Sequence, residues 1–157
     1  MSYTNSDGLF VLTDGEQGAV KQNGGSLGAT KFLVVEMPDA STIGSVQVPP
    51  TPNDAFIPAG SYITKATLVV QTAWTSAGSA TLNIGLYKSN NTAGDADGID
   101  ATIALAALAA DKAVICNGAQ VGGTAALGAD NLYVGFRYGT AAFTAGAAKL
   151  VIEYIEI

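Results

Sequence analysis

Residues 131–138 read Asn-Leu-Tyr-Val-Gly-Phe-Arg-Tyr, with apolar side chains at every second position. Successive side chains of an extended chain point to opposite faces, so this alternation predicts a half-buried β-strand. The apolar set is Leu132, Val134, Phe136 and Tyr138. We expect this set to face the core of the protein.

A second strand is predicted after a loop of small residues from Gly139 to Gly146, over Ala147 to Ile157. Leu150, Ile152 and Tyr154 share one face of it. The opposite face is unusual because it mixes the charged Lys149 and Glu153 with apolar residues. It predicts a strand covered on both sides, by another sheet, another subunit or the N-terminal arm. The candidate interface residues are Val151, Ile155, Ile157, Leu9 and Phe10.

Residues 62–88 contain two further alternating stretches, separated by the turn-forming residues 75–79. The apolar faces consist of Tyr62, Ala66, Leu68, Val70 and Trp74 in the first stretch, and of Leu82, Ile84 and Leu86 in the second. Two such stretches joined by a short turn predict an antiparallel hairpin.

Residues 89–100 are almost entirely turn formers and predict a surface loop. Asp100 is then placed to cap a short helix over 101–110, where alanine and leucine have high helix propensity. Short strands are predicted at 113–116 and 119–121, around an Asn117-Gly118 turn.

Phe32 to Met37 is a further predicted strand, apolar on both faces, and Leu9 to Leu12 is a short one. Several short strands with frequent turns and one brief helix predict an all-β fold, an antiparallel β-sandwich of jelly-roll type. We expect a single domain, with residues 1–53 forming an N-terminal arm and first strands packed on a sandwich body of 54–157.

The charge distribution excludes several classes of partner. Charged residues make up only 13% of the 157-residue chain, and the formal net charge is −6. The seven basic residues are scattered singly, so no basic stripe is available for nucleic acid or for an anionic membrane. No secretory signal is recognisable. Cys116 is the one cysteine, which fits a reducing cytoplasm, and we expect it to be a buried and inert thiol.

The chain contains no histidine, which removes histidine-based catalysis and histidine-based metal sites. We therefore expect no enzyme activity and no cofactor. The one metal candidate is the set Asp95, Asp97 and Asp100, because closely spaced carboxylates in a glycine loop can bind calcium. An EF-hand would need a carboxylate between Ile103 and Leu108, and none is present. Turn residues and a helix cap explain the aspartates better.

A sugar-binding platform is the alternative use of the aromatic residues. Trp74 is the central candidate, together with several tyrosines. Its position in the alternation places it with the core set, so packing is the favoured interpretation.

Six segments of the sequence have a recurrent pattern of strands and turns. Three of them are Phe56-Ile-Pro-Ala-Gly-Ser-Tyr-Ile-Thr-Lys-Ala-Thr-Leu-Val-Val, Leu82-Asn-Ile-Gly-Leu-Tyr and Asp95-Ala-Asp-Gly-Ile-Asp. The other three are Asn131-Leu-Tyr-Val-Gly-Phe, the Gly139 to Gly146 loop and Lys149-Leu-Val-Ile-Glu-Tyr. In these segments the sequence resembles small virion proteins of tailed bacteriophages. The resemblance covers residues 54–157 well and the N-terminal third loosely.

The resemblance implies a structural role in the virion, most often as a capsid decoration or cement protein. The implied partners are the major capsid protein and other copies of the chain, in a trimer, on the capsid surface of particles assembled in the host cytoplasm. It carries over no catalytic residue. A tail or tail-fibre component and a carbohydrate-binding sandwich module are the alternative functions.

Overall fold

The computed structural model describes residues 2–4, 10–12, 30–45, 56–123 and 125–156. Within these ranges, ten β-strands and two 3-10 turns form the regular structure. The strands are β1 (Ser2–Thr4), β2 (Phe10–Leu12), β3 (Thr30–Glu36), β4 (Phe56–Ile57), β5 (Tyr62–Ser76), β6 (Thr81–Tyr87), β7 (Ala93–Ala104), β8 (Ala113–Ile115), β9 (Leu132–Gly139) and β10 (Phe143–Ile155). The 3-10 turns span Ala40–Thr42 and Leu105–Ala107.

Two four-stranded antiparallel sheets build the body. Sheet I has the strand order β3-β10-β5-β8, and sheet II has the order β4-β9-β6-β7. Strands β1 and β2 pair separately. Only β6 and β7 are neighbours both in the chain and in a four-stranded sheet, so the chain repeatedly crosses between the sheets. The prediction of an all-β, jelly-roll-like sandwich is confirmed.

One apolar core lies between the two sheets. Sheet I contributes Leu68 and Leu150, and sheet II contributes Leu82 and Val134, all without significant exposure to solvent. These are the alternating positions that the sequence assigns to the core. The strands predicted over 131–138, 147–157, 32–37 and 9–12 are present as β9, β10, β3 and β2.

The first core position of β5 was predicted wrongly. Ile63 is fully buried, whereas Tyr62 is only half-buried. The cause is a β-bulge: Glu153 pairs with Lys65 while Tyr154 pairs with Ile63, so Thr64 is an extra residue on β5. An extra residue reverses the alternation on one side of the bulge.

The predicted hairpin over 62–88 is wrong, because β5 and β6 belong to different sheets. β5 pairs with β10 and β8, and β6 pairs with β7 and β9. Both strands present one apolar face to the same core. Two hydrogen-bonded neighbours in one sheet and two strands that face each other across a sandwich both have one apolar face. Alternation of apolar residues therefore does not distinguish the two arrangements.

The loop predicted over 89–100 is correct only for residues 89–92, and the helix predicted over 101–110 is wrong. Residues 93–104 form β7, and only Leu105–Ala107 form a single 3-10 turn. Ile103 is buried by pairing with Leu82, and this burial overrides the helix propensity of the alanines. The β6–β7 pairing is irregular between the pairs Ile84 with Asp100 and Leu86 with Asp95, where four residues of β7 oppose one residue of β6. Asp97 and Gly98 lie within this irregular stretch.

The Asn117-Gly118 dipeptide does not form the predicted hairpin. β8 pairs with β5, and residues 119–121 contribute only an isolated parallel bridge from Val121 to Ile63. Gly118 N–H instead donates to the carbonyl of Ile99, at 2.8 Å. The division of the chain at residue 53 stays a prediction.

Gly146 should be essential to the packing of the core. Its φ is +141°, and a Cβ at this position would overlap the indole ring of Trp74. Trp74 in turn packs edge-on against Phe143, with ring centroids 4.7 Å apart. We expect Gly146→Ala to lower the free energy of unfolding by about 2–4 kcal/mol, through backbone strain and overpacking. Urea denaturation measures this change.

The matched control is Gly128→Ala, because a Cβ at Gly128 meets no atom within 4 Å. Its expected effect is within about 0.5 kcal/mol. Equal effects of the two substitutions would contradict the assigned role of Gly146.

Candidate interaction surface

The aspartates of the metal candidate are distributed along β7 in different environments. Asp95 is half-buried and accepts a hydrogen bond from Gln120 Nε2 at 3.0 Å, Asp97 is exposed, and Asp100 is buried. Within the described ranges, no group of three or more metal-binding side chains is present. The structure therefore does not assemble these three carboxylates into a cation site.

Asp100 and Cys116 are neighbours in the interior. Burial raises the pKa of the Asp100 carboxyl, and the backbone N–H groups of Asn117 and Ala101 oppose that rise by donating hydrogen bonds to it. Burial also raises the pKa of the Cys116 thiol to about 12, with a further contribution from the Asp100 charge. A thiol with so high a pKa is protonated at neutral pH and is a poor nucleophile.

Asp100 should give the stability of the protein a distinct pH dependence. Its pKa is raised above the ordinary value of 3.8, so the folded state binds the proton more tightly than the unfolded state. The protonated Asp100 carboxyl stabilises the folded state fully at pH values below its pKa in the unfolded chain. This contribution is lost as the pH rises through the pKa of Asp100 in the folded protein. We expect the free energy of unfolding of the wild type, relative to Asp100→Asn, to fall as the pH rises above about 4.

Chemical denaturation at a series of pH values measures this difference. Asp111→Asn is the matched control, because Asp111 is an exposed aspartate with φ of 59°, a conformation that asparagine tolerates. Identical pH profiles for the two variants would contradict the assignment to Asp100.

Trp74 does not form a sugar-stacking platform, because its indole is buried in the core against Phe143. Tyr133 is half-buried and packs against the Phe56 ring, with centroids 5.8 Å apart. Tyr87 and Tyr154 are buried. These aromatic residues therefore serve packing, which the strand position of Trp74 predicts.

The outer face of sheet I, the face directed away from the core, is distinguished by its exposed apolar side chains. The large exposed hydrophobic side chains of the described residues are Phe32, Val34, Val69 and Ile115, with exposed fractions of 63%, 57%, 41% and 70%. All four belong to strands of sheet I. Exposed apolar residues gathered on one sheet face are typical of an interaction surface rather than of a solvated one.

Strand pairing organises this outer face into rows. Val34 lies opposite Val151, Val151 opposite Thr67, and Thr67 opposite Ile115, so one row crosses all four strands. A second row runs from Glu36 through Lys149 and Val69 to Ala113, and a third from Phe32 through Glu153 to Lys65. Lys149 Nζ lies 2.7 Å from Glu36 Oε1 within the second row.

Two of the predicted interface residues, Val151 and Ile155, lie half-buried in β10, in register with this face. Ile157 and Leu9 lie outside the described residues, as does the side chain of Phe10. Sequence reasoning missed Phe32, Val34, Val69 and Ile115. The two-sided apolar character of residues 32–37 was the signal that could have identified the first two.

No protein-family model matches the sequence, and a search of curated proteins finds no similar sequence. No helix among the described residues is long and apolar enough to span a membrane. Solved structures do match the fold. A chain of the cyanophage Pam1 capsid asymmetric unit superposes with a TM-score of 0.58 at 18% identity, over 92% of this chain and 98% of that one.

Two other capsids contain chains of similar fold. A chain of the Ralstonia phage GP4 capsid matches with a TM-score of 0.54 at 16% identity, over 90% of this chain and 94% of that one. A chain of the acidic stable capsid of Helicobacter pylori bacteriophage KHP30 matches with a TM-score of 0.55 at 13% identity, over 83% and 90%. This chain therefore shares its fold with chains found in the capsids of three bacteriophages.

Proposed function

We propose that the protein is a structural component of a bacteriophage virion, and specifically a decoration or cement protein that binds and stabilises the capsid. The observation that carries the proposal is the match to a chain of the Pam1 capsid, which covers nearly the whole of both chains. High coverage in both directions means that the matched chain is itself small and built of the same single sandwich. The GP4 and KHP30 matches also cover most of both chains.

The surface of the protein supports an assembly role. Charged residues make up only 13% of the sequence, and the outer face of sheet I exposes Phe32, Val34 and Ile115. Such a surface gains stability when a neighbour excludes water from it. We propose the major capsid protein and other copies of this chain as the neighbours, with the copies associated as a trimer.

Many modest contacts would then act together. A closed oligomer that binds several capsid subunits at once gains avidity, because each later contact forms at high effective concentration. Each contact can therefore be weak while the attached layer holds neighbouring capsid subunits together. The proposed site of action is the outer surface of the head, with attachment in the host cytoplasm.

The proposed role is non-catalytic. The sequence lacks histidine, and the single thiol is buried with a pKa of about 12. Neither feature contributes a nucleophile or a general base for chemistry near neutral pH. The protein would act through binding alone.

Particles that lack this chain provide the test. We expect them to assemble heads that release DNA at a lower temperature than complete particles, because the stabilising contacts are missing. Addition of the purified full chain should restore the release temperature. Antibody labelling under the electron microscope should place the chain on the head.

The control is the same addition with heat-unfolded protein, which should restore nothing. Label on the tail, or loss of adsorption with heads of normal stability, would overturn the capsid role in favour of a tail component.

A further inference from the structure

The outer face of sheet I combines an apolar centre with balanced charge. Its central row consists of Val34, Val151, Thr67 and Ile115, one residue from each strand. All four residues are exposed or half-buried, so this row is available to a partner. A row across four strands with three apolar residues out of four resembles the inner face of a sandwich more than an ordinary solvated sheet face.

The rows on either side contain two acidic and two basic residues. Glu36 and Lys149 lie in one flanking row, and Glu153 and Lys65 in the other. The face therefore has no net charge, although the whole chain has a formal charge of −6. The excess negative charge belongs to the remainder of the molecule, so this face is one at which two like-charged copies can approach each other without repulsion.

Lys65 has no salt-bridge partner among the described residues. It lies beside Glu153 on the neighbouring strand, and Glu153 Oε1 accepts a hydrogen bond from Thr64 Oγ1 at 2.9 Å. Lys65 and the positioned Glu153 carboxylate thus lie at the same level of the two central strands. A surface with both charges at one level can be complementary to itself.

We infer that this face docks against the same face of a second copy of the chain. The contact is isologous, with a two-fold axis parallel to the strands and midway between β10 and β5. This axis places β10 of one copy over β5 of the other, and β3 over β8. Each row of residues therefore faces the same row of the second copy. The strands of the two facing sheets then run within about 30° of each other, as in a β-sandwich.

The side chains meet in complementary pairs under this symmetry. Val34 lies over Ile115 of the second copy, and Glu153 lies over Lys65 of the second copy. Each pair occurs twice. Lys149, already paired with Glu36 in its own chain, lays its aliphatic stem over Val69 of the second copy. The exposed Val34, Val69 and Ile115 are covered, and Lys65 gains an acidic partner from the second copy.

The dimensions of the face limit the area that the contact can bury. The rows span about 19 Å across four strands and about 15 Å along them, given ordinary strand spacings. This footprint, about 300 Å² on each copy, is smaller than that of standard specific protein interfaces, so we expect weak and readily reversible association. The inference goes beyond capsid binding, because the contact forms between free molecules. On a shell it would join adjacent oligomers.

Sedimentation velocity of the full chain over a range of micromolar concentrations tests the contact. We expect a concentration-dependent step that doubles the mass of the smallest species present. Val34→Lys and Ile115→Lys should each weaken this step about tenfold or more, because each buries an unpaired charge twice. Ala93→Lys is the matched control, since it adds a lysine at an exposed position of a strand in sheet II and should leave the step unchanged.

A charge exchange gives the decisive measurement. Lys65→Glu alone should weaken the doubling step because acidic residues then face each other, and Glu153→Lys alone should weaken it because basic residues do. An equimolar mixture of the two variants should restore it, since both cross-copy pairs are again of opposite charge. Thermal unfolding of each variant verifies that the chain remains folded.

Failure of the mixture to restore association, or a wild-type mass distribution that Val34→Lys leaves unchanged, would overturn the face-to-face contact. A protein that shows the doubling step but does not bind capsids would instead overturn the proposed function alone. The two outcomes are therefore separable.

Discussion

Strand β10 pairs with β5 over almost its whole length, from Phe143 opposite Ser76 to Ile155 opposite Tyr62. This ladder forms the middle of sheet I, with β3 added on one side and β8 on the other. Its inner face supplies Leu68 and Leu150 to the core, which sheet II closes from the opposite side. Burial of apolar surface on this inner face is the main stabilising force of the fold. The same ladder sets the register of every row on the outer face.

The register determines which exposed apolar and charged residues lie side by side on the outer face of sheet I. Asp100 and Cys116, whose pKa values are raised by burial, lie where sheet II meets the segment after β8. They contribute to packing and hydrogen bonding in the interior. The outer face of sheet I, by contrast, holds its apolar and charged residues in fixed rows on rigid strands. These solvent-facing rows are the basis of the proposed contact between copies.

Local patterns predicted the elements that obey simple alternation. β9 and β10 were recognised because Leu132, Val134 and Phe136, and then Leu150 and Ile152, recur with a period of two. The patterns failed where burial competed with local preference. The alanine-rich segment after Asp100 was predicted as a helix, but residues 101–104 form the end of strand β7, because Ile103 pairs with Leu82 in the core. The candidate surface was half recognised: Val151 and Ile155 were predicted, and their neighbours Val34 and Ile115 were not.

The sequence by itself determined the fold class, the faces of most strands, and the absence of histidine chemistry, because these depend on residue type and on spacing along a single strand. The tertiary structure alone decided which strands pair, and it separated β5 from β6 into facing sheets. It also brought Val34, Val151, Thr67 and Ile115 into one row from four distant parts of the chain. Alternation records which face of a strand is apolar, but the neighbour of that strand depends on long-range packing between segments far apart in sequence.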